Sequence, residues 1–456
     1  MQWRGKTNNM GKLALVALVG QADTGIQLDN NNYEKVASLS FFKHTNVKDV
    51  SLHKFLFAIK QLKLEPSELA MDLLIIACTV YAADTRINRK TYAEDSWTRL
   101  IDLFIPVSDP AFWQNQRALL QRIFRFLTGD IWDVNFRERS DTSLQLSPKG
   151  NRRSYQMPYQ TNTVCLFSGG MDSLIGAVDL LDHGIRPLLL GHSKSSDVTP
   201  YQKSCYTALA NHYRQLPLAR IHAFVRIPKE NLFSSKDTAE RGRSFLFLTL
   251  GAICASSLDA QSELIIPENG MISLNIPLTP LRVGSHSTRT THPHYLGMMQ
   301  ELFTNMGGGV TIRNPYQFKT KGEMLKDCGN KQLIAQTDSM SCSHPSGRFK
   351  GQGNGHCGYC VPCIIRQAAF KIAGVSERFT YRKNIFEPPG MNIRRAEGTD
   401  ILAFKYQIEK IRQKPGFLTA AIRSTGPLGE DVSAYLDVYR RALDEVEDLL
   451  DPIVLI

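Results

Sequence analysis

The stretch that decides the fold is Thr163–Ser173, TVCLFSGGMDS. Thr163–Phe167 is a short apolar run of strand type, and Ser168-Gly169-Gly170 forms a turn. Met171 then opens an amphipathic pattern that reaches His183. It carries Leu174, Ile175, Val178 and Leu181 on one face, and Gly184 is its stop. Two glycines between a strand and a helix can take positive φ and let a ligand approach the backbone without a Cβ in the way. The N–H groups at the helix start and the positive end of its dipole then favour an anion. Ser168 and Ser173 add hydroxyl donors. Asp172 is the odd member, because a carboxylate repels phosphate. It implies either a Mg²⁺ ion bridging it to a polyphosphate or a cap on the helix start. No Gly-Lys-Ser/Thr follows, which excludes a Walker A loop.

Working outward, the same alternation repeats. Short apolar runs lie at Thr163–Phe167, Arg186–Leu190, Ile221–Ile227, Glu263–Ile266 and Val310–Arg313. Helical patterns over Met171–His183, Arg243–Ser257 and Lys321–Ile334 lie between or after them. Strands alternating with helices predict an α/β fold, a doubly wound parallel sheet with right-handed crossovers. Ligands of such sheets bind at the carboxyl ends of the strands. Four of these ends are small, polar or turn-forming: Ser168-Gly169-Gly170, Gly191-His192-Ser193, Glu268-Asn269-Gly270 and Asn314-Pro315. Arg243 and Lys321 each open a helix on that rim and are candidates to neutralise phosphate.

Residues 1–160 mix helix and strand patterns and are expected to form an accessory α+β domain. Ser67 is a candidate cap for a helix reaching Asp84. Asp109-Pro110 opens another that Gly129 closes. Gly150–Ser154 is polar and basic and reads as a linker into the 161–375 domain. The tail, 376–456, is expected to be a helical extension, with Leu436, Tyr439, Leu443, Val446 and Leu450 as a core stripe.

The chain has 456 residues, and its 54 Lys+Arg against 43 Asp+Glu leave a formal charge of +11. Apolar residues at 43% and charged residues at 21% allow a sizeable core and exclude wholesale disorder. No apolar run reaches the roughly 18 residues of a membrane span, so no membrane partner is expected. Of nine cysteines, five are scattered (Cys78, Cys165, Cys205, Cys254 and Cys328), while Cys342, Cys357, Cys360 and Cys363 cluster around a CxxCxxC run. Four thiolates at this spacing suit a closed tetrahedral site of structural type. Zinc is the expected ion, and an iron–sulfur cluster shares the same ligands. His344 and His356 are then neighbours of a filled shell. The apolar run Leu13–Val19 after a basic start reads as a weak signal peptide or as a first buried strand closed by Gly20. The strand, and a cytoplasmic protein, are the expectation, since a thiolate cluster and a nucleotide loop belong in a reducing compartment.

Ser168-Gly169-Gly170-Met171-Asp172-Ser173 resembles the SGGxDS loop of the PP-loop ATPases, which cleave ATP between the α and β phosphates to adenylate a substrate oxygen. With the cysteine cluster it is similar to the 7-cyano-7-deazaguanine synthases, the QueC family, from about Thr163 to Val375. The likeness includes Gly242-Arg243-Ser244, Thr320-Lys321-Gly322-Glu323 and Ala373-Gly374-Val375. The resemblance implies a PP-loop, HUP-like fold. It implies ATP on Ser168, Gly169, Gly170, Asp172, Ser173 and Arg243, with Mg²⁺ as companion ion. Asp172, Ser173 and Lys321 would be catalytic, and Cys342, Cys357, Cys360 and Cys363 would hold Zn²⁺. It also implies a 7-deazaguanine carboxylate that is activated and passed to ammonia or another amine.

Residues 1–160 and the long tail depart from the standalone members. Extended members encoded in the Qat anti-phage defence operons have this size, and there the acceptor amine would lie on a partner protein of the same operon. Two other readings fit the motifs: a PP-loop tRNA-modifying enzyme of thiolase type, and a catalytically idle nucleotide or nucleobase sensor in a defence complex. The positive charge is spread without a dense basic run, which disfavours nucleic acid.

Overall fold

The computed structural model describes residues 11–42, 49–93, 95–140, 156–193, 198–228, 232–233, 237, 240–278, 289–344 and 355–456. The expected linker 150–154 lies outside them.

Apolar run Leu13–Val19 forms most of β1 (Lys12–Val19), which is buried almost throughout. Gly20, at φ 77, turns the chain out of the strand. With β2 (Lys35–Phe41), β3 (Leu100–Val107) and β4 (Ile131–Glu138) it builds a four-stranded sheet of order β2-β1-β3-β4. Every pairing is parallel. This corrects the α+β expectation: the N-terminal region is α/β. Parallel strands need crossovers, and three of the four connecting helices, α1 (His53–Gln61), α2 (Glu68–Arg86) and α3 (Arg89–Tyr92), lie between β2 and β3, with α4 (Pro110–Thr128) between β3 and β4. The expected caps are in place. Ser67 accepts from Ala70 N at 3.2 Å, Asp109 accepts from Phe112 N at 2.9 Å, and Gly129 closes α4 at φ 76.

The second sheet holds β5 (Thr163–Leu166), β6 (Leu188–Ser193), β7 (Arg220–Phe224), β8 (Ser262–Ile265) and β9 (Val310–Arg313). Its order is β7-β6-β5-β8-β9, again all parallel. Side chains alternate along the strands. Val164, Leu166, Leu188 and Leu190 face a core shared with α2 and α7 (Arg243–Ser256). Cys165, Leu189 and Ile265 face another shared with α5 (Met171–Asp182) and α6 (Thr199–His212). Helices therefore cover both faces. The first of these cores runs without a break from Leu13 through α2 and α7 to Val310, joining the two sheets. α2 is buried on nearly every side because it lies between the first sheet and α7. Each such fully buried Leu or Ile contributes about 1.5–3 kcal/mol.

Two boundaries differ from the sequence pattern. β6 extends through Gly191-His192-Ser193, because these residues pair with His222–Phe224 of β7 instead of turning. The single helix expected over Lys321–Ile334 is two, α10 (Lys321–Asp327) and α11 (Lys331–Gln336). Cys328 is extended, and Asn330 starts afresh by accepting from Leu333 N at 3.2 Å. Between the sheets' elements lie α8 (Gly270–Leu274) and α9 (Pro293–Asn305); α12 (Val361–Ala373) follows the cysteines. The tail is helical from α13 (Ala396–Gln413) through α14 (Gly416–Thr425) to α15 (Val432–Leu450). Tyr439, Leu443, Val446 and Leu450 are buried in a third core, with Leu436 packed at its edge. Among the described residues no helix is long and apolar enough to cross a membrane.

A buried ion network joins the first sheet to α7. Arg99, fully buried, bonds Asp130 at 2.6 and 3.0 Å and Asp84 at 3.1 Å. Arg89 adds a 2.8 Å bond to Asp130, and the other oxygen of Asp84 accepts from Gly242 N at 2.8 Å, at the mouth of α7. Removing one charge strands the others, so Arg99→Ala is expected to lower stability by about 3–5 kcal/mol in urea unfolding. His292, at the start of α9, is fully buried. It accepts from His294 N at 3.2 Å and pairs with Thr425 Oγ1 of α14 at 2.9 Å, which fits a neutral ring. Burial first, then Arg289 and His294, lower its pKa to about 3. A ring held neutral when folded stabilises fully above its ordinary value of about 6.5. That stability is lost as pH falls from there toward about 3. His292→Asn is expected to flatten this acid-side fall in the urea midpoint.

Candidate functional site

The loop after β5 is held from three directions. Gly169 sits at φ 82, and a Cβ there would lie 2.8 Å from Gln202 N of α6, so only glycine fits. Its carbonyl accepts from Met340 N at 2.8 Å. Ser168 and Ser173 face each other, Oγ to Oγ, at 3.2 Å, and Ser173 Oγ donates to Gly170 O at 3.0 Å. Gly170 is the N-cap of α5 and supplies no side-chain cap, which leaves the first N–H groups of that helix open.

Asp172 does not cap the helix. It is only 7% exposed and pairs with Lys321 Nζ at 2.9 Å, while Asn269 Nδ2 donates to it at 2.7 Å. Glu268 stands beside it. Burial and the adjacent Asp172 charge push the Glu268 carboxyl well above its usual range. Against the same burial, Lys321 and the hydrogen bonds from Glu268 and Asn269 hold Asp172 below its own. The ion pair is Asp172 with Lys321, and Glu268 is the carboxyl that burial and the Asp172 charge drive toward its neutral form. Lys321, expected to meet phosphate, is thus already committed to Asp172.

These residues meet at the carboxyl ends of β5 and β8, where the strand order reverses about β5. A cavity of ≈ 510 Å³ opens there. Ser168, Ser173, Glu240, Arg241, Arg243, Ser244, Glu268, Thr290 and Thr291 supply its polar groups, and Leu166, Phe247, Leu248, Ile266 and Pro267 its apolar wall. Arg243 donates to His192 O at 3.4 Å, and among the described residues no carboxylate forms an ion pair with it. Ser168, Ser173 and Arg243 therefore share one cleft, Asp172 and Lys321 pair with each other outside its lining, and the four cysteines form a separate cluster. Glu268 and Asn269 stood out in the sequence only as a turn; their role depends on a contact with Asp172 that spans 97 positions.

Cys342, Cys357, Cys360 and Cys363 are all buried, and their sulfurs lie within 4.8 Å of one another. Cys342–Cys360 is 3.8 Å and Cys357–Cys363 is 3.9 Å. Sulfurs around a tetrahedral zinc at about 2.3 Å would be ~3.8 Å apart, so the cage fits a metal such as zinc. Backbone N–H groups already aim at these sulfurs: His344 N and Cys357 N at Cys342 Sγ, 3.2 and 3.4 Å, and Cys360 N at Cys357 Sγ, 3.4 Å. Such bonds stabilise thiolates. His356 accepts from Ser341 N at 3.3 Å and stays outside the cage. The five remaining cysteines are buried single thiols; burial pushes Cys165 and Cys205 up to about 12.

No protein-family model matches the chain. The cysteine cage makes a direct prediction. Purified protein is expected to carry about one equivalent of metal by mass spectrometry of its elements, and Cys360→Ser to lose it together with several degrees of melting temperature.

Proposed function

We propose that the chain is an ATP-dependent enzyme of the PP-loop, QueC-like type. On this reading it adenylates the carboxylate of a 7-deazaguanine and transfers the acyl group to an amine. The observation that carries the reading is one cleft at the topological switch of a parallel sheet. It combines the two serine residues of the Ser168–Ser173 loop, at the start of α5, with Arg243. That set suits a polyphosphate. The apolar wall beside it, with Phe247, suits a flat heteroaromatic ring.

In the proposed reaction a carboxylate oxygen attacks the α phosphorus and pyrophosphate leaves. An amine nitrogen then attacks the acyl carbon, AMP departs, and the amine gives up a proton to water. Arg243 and the loop N–H groups bear the charge that grows on the phosphates, and the enzyme supplies no covalent nucleophile. Asp172, with both oxygens engaged by Lys321 and Asn269, sets the loop and the lysine in place. Glu240 and Glu268 are the carboxyls that line the cleft, and Glu268, once it gives up its proton, would hold a magnesium ion arriving with ATP. Zinc on the four cysteines would be structural, since the cage leaves no open position. A protein amine from a partner encoded in the same defence operon is the proposed acceptor.

Incubation with ATP and 7-carboxy-7-deazaguanine is expected to release pyrophosphate only when both are present. Asp172→Ala should lower the rate at least about 100-fold, and Arg243→Gln should raise the KM for ATP about tenfold. Pyrophosphate release that ignores the base would defeat the reading. Intact mass spectrometry of operon neighbours purified with the active enzyme, but not with Asp172→Ala, should show a deazaguanine adduct.

A further inference from the structure

Lys321 is gripped from outside its own domain. Glu445, five residues from the end of α15, places one carboxylate oxygen on the Thr320 hydroxyl, and its other oxygen accepts from Gly322 N at 3.2 Å. These are the residues immediately before and after Lys321. The fit is close: a Cβ on Gly322 would lie 2.5 Å from Glu445 Oε1, so a side chain there would push the carboxylate away. Thr320 is meanwhile fixed by a capping box with Glu323, whose carboxylate accepts from Thr320 N at 2.9 Å. Arg441, one turn before Glu445, holds Glu323 at 3.2 Å and donates to Phe318 O at 2.9 Å. The backbone on both sides of Lys321 is thus set by α15, and Lys321, 6% exposed, meets Asp172 at 2.9 Å.

We infer that Glu445 is a positioning residue, which seats Lys321 against Asp172 and makes the C-terminal extension part of the site. A purely structural contact could be made by an apolar side chain at lower cost. Burial, opposed by the bonds from Thr320 and Gly322 and by Arg441 and reinforced by Glu323, pushes the Glu445 carboxyl up to about 7. A carboxylate kept half-buried at that expense, with its two oxygens on the two neighbours of one lysine, acts through that lysine. The inference rests on the proposed role of the Asp172–Lys321 pair, but its test does not need turnover.

The test is competitive labelling of the full-length protein with acetic anhydride, reading Lys321 against the exposed Lys60 by peptide mass spectrometry. Glu445→Ala is expected to raise the relative labelling of Lys321 at least about fivefold, and Glu445→Gln, which keeps one acceptor, about threefold. Leu443→Ala, a cavity in the same helix that leaves Glu445 intact, should lower the melting temperature without raising Lys321 labelling. Unchanged labelling in both Glu445 variants overturns the inference, and so does an equal rise in Leu443→Ala. If Glu445→Ala does not fold, Glu445→Gln decides. Where the wild type releases pyrophosphate, Glu445→Ala should add less than about twofold to the loss already caused by Lys321→Ala, whereas additive losses count against coupling. A wild type without pyrophosphate release refutes the adenylation reading and leaves the labelling result to stand by itself.

Discussion

The buried pair of Asp172 and Lys321 is the constraint on which the rest of the site depends. Taking two charges out of water costs several kcal/mol per ion, and their attraction offsets this only with good geometry and further hydrogen bonds. The structure provides both. Asn269 Nδ2 serves the second oxygen of Asp172, and burial with the Asp172 charge favours the neutral form of Glu268 beside it. The pair also spans the sheet. Asp172 belongs to the helix after the central strand β5, and Lys321 to the helix after the edge strand β9. One ion pair therefore ties the Ser168–Ser173 loop to the helix that follows the edge strand.

Arg243 is set in place by a different part of the chain. Its helix begins at Gly242, whose N–H is held by Asp84 of α2, and Asp84 is itself locked by Arg99 and Arg89. A substitution in the first sheet would reach the cleft through this route, because a shared core and a buried charge network leave little room for independent motion. The N-terminal region backs the helix that carries Arg243, through a core common to both sheets.

What was legible in the sequence was local. Periodicity located all five strands of the second sheet, and Ser67, Asp109 and Gly129 marked their helix ends because capping is decided within four residues. The loop and the CxxCxxC run were readable for the same reason. The parallel pairing of β1 through β4 was hidden, because the register of parallel strands is settled by partners far along the chain and leaves no turn signal between them. β6 reads as ending at Leu190, since Gly191-His192-Ser193 looks like a turn until β7 pairs with it. Glu445 carries no local mark at all. It is one acidic residue on the polar side of an amphipathic helix, and its contact with Thr320 spans 125 positions.

The cysteine cage follows the same logic as Glu445. Met340, two residues before the ligand Cys342, donates to Gly169 O, and the backbone of the Ser339–Ser341 segment is braced by Arg366, whose Nη1 donates to Ser339 Oγ and Ser341 Oγ at 3.0 and 3.1 Å. Arg366 is on α12, three residues after the ligand Cys363, and its charge is answered by Glu377 at 2.5 Å. A metal that closes the cage would thus fix both ends of this strut, one through Cys342 and one through Cys363. The polar segment has too few apolar side chains to hold itself against the loop. The Ser168–Ser173 loop and its partner Lys321 are then supported by two devices that lie far from the loop in sequence: a cysteine cage joined through Met340 to Gly169, and a tail carboxylate on the neighbours of Lys321. Both act on how these segments are placed, which is what a preorganised site requires.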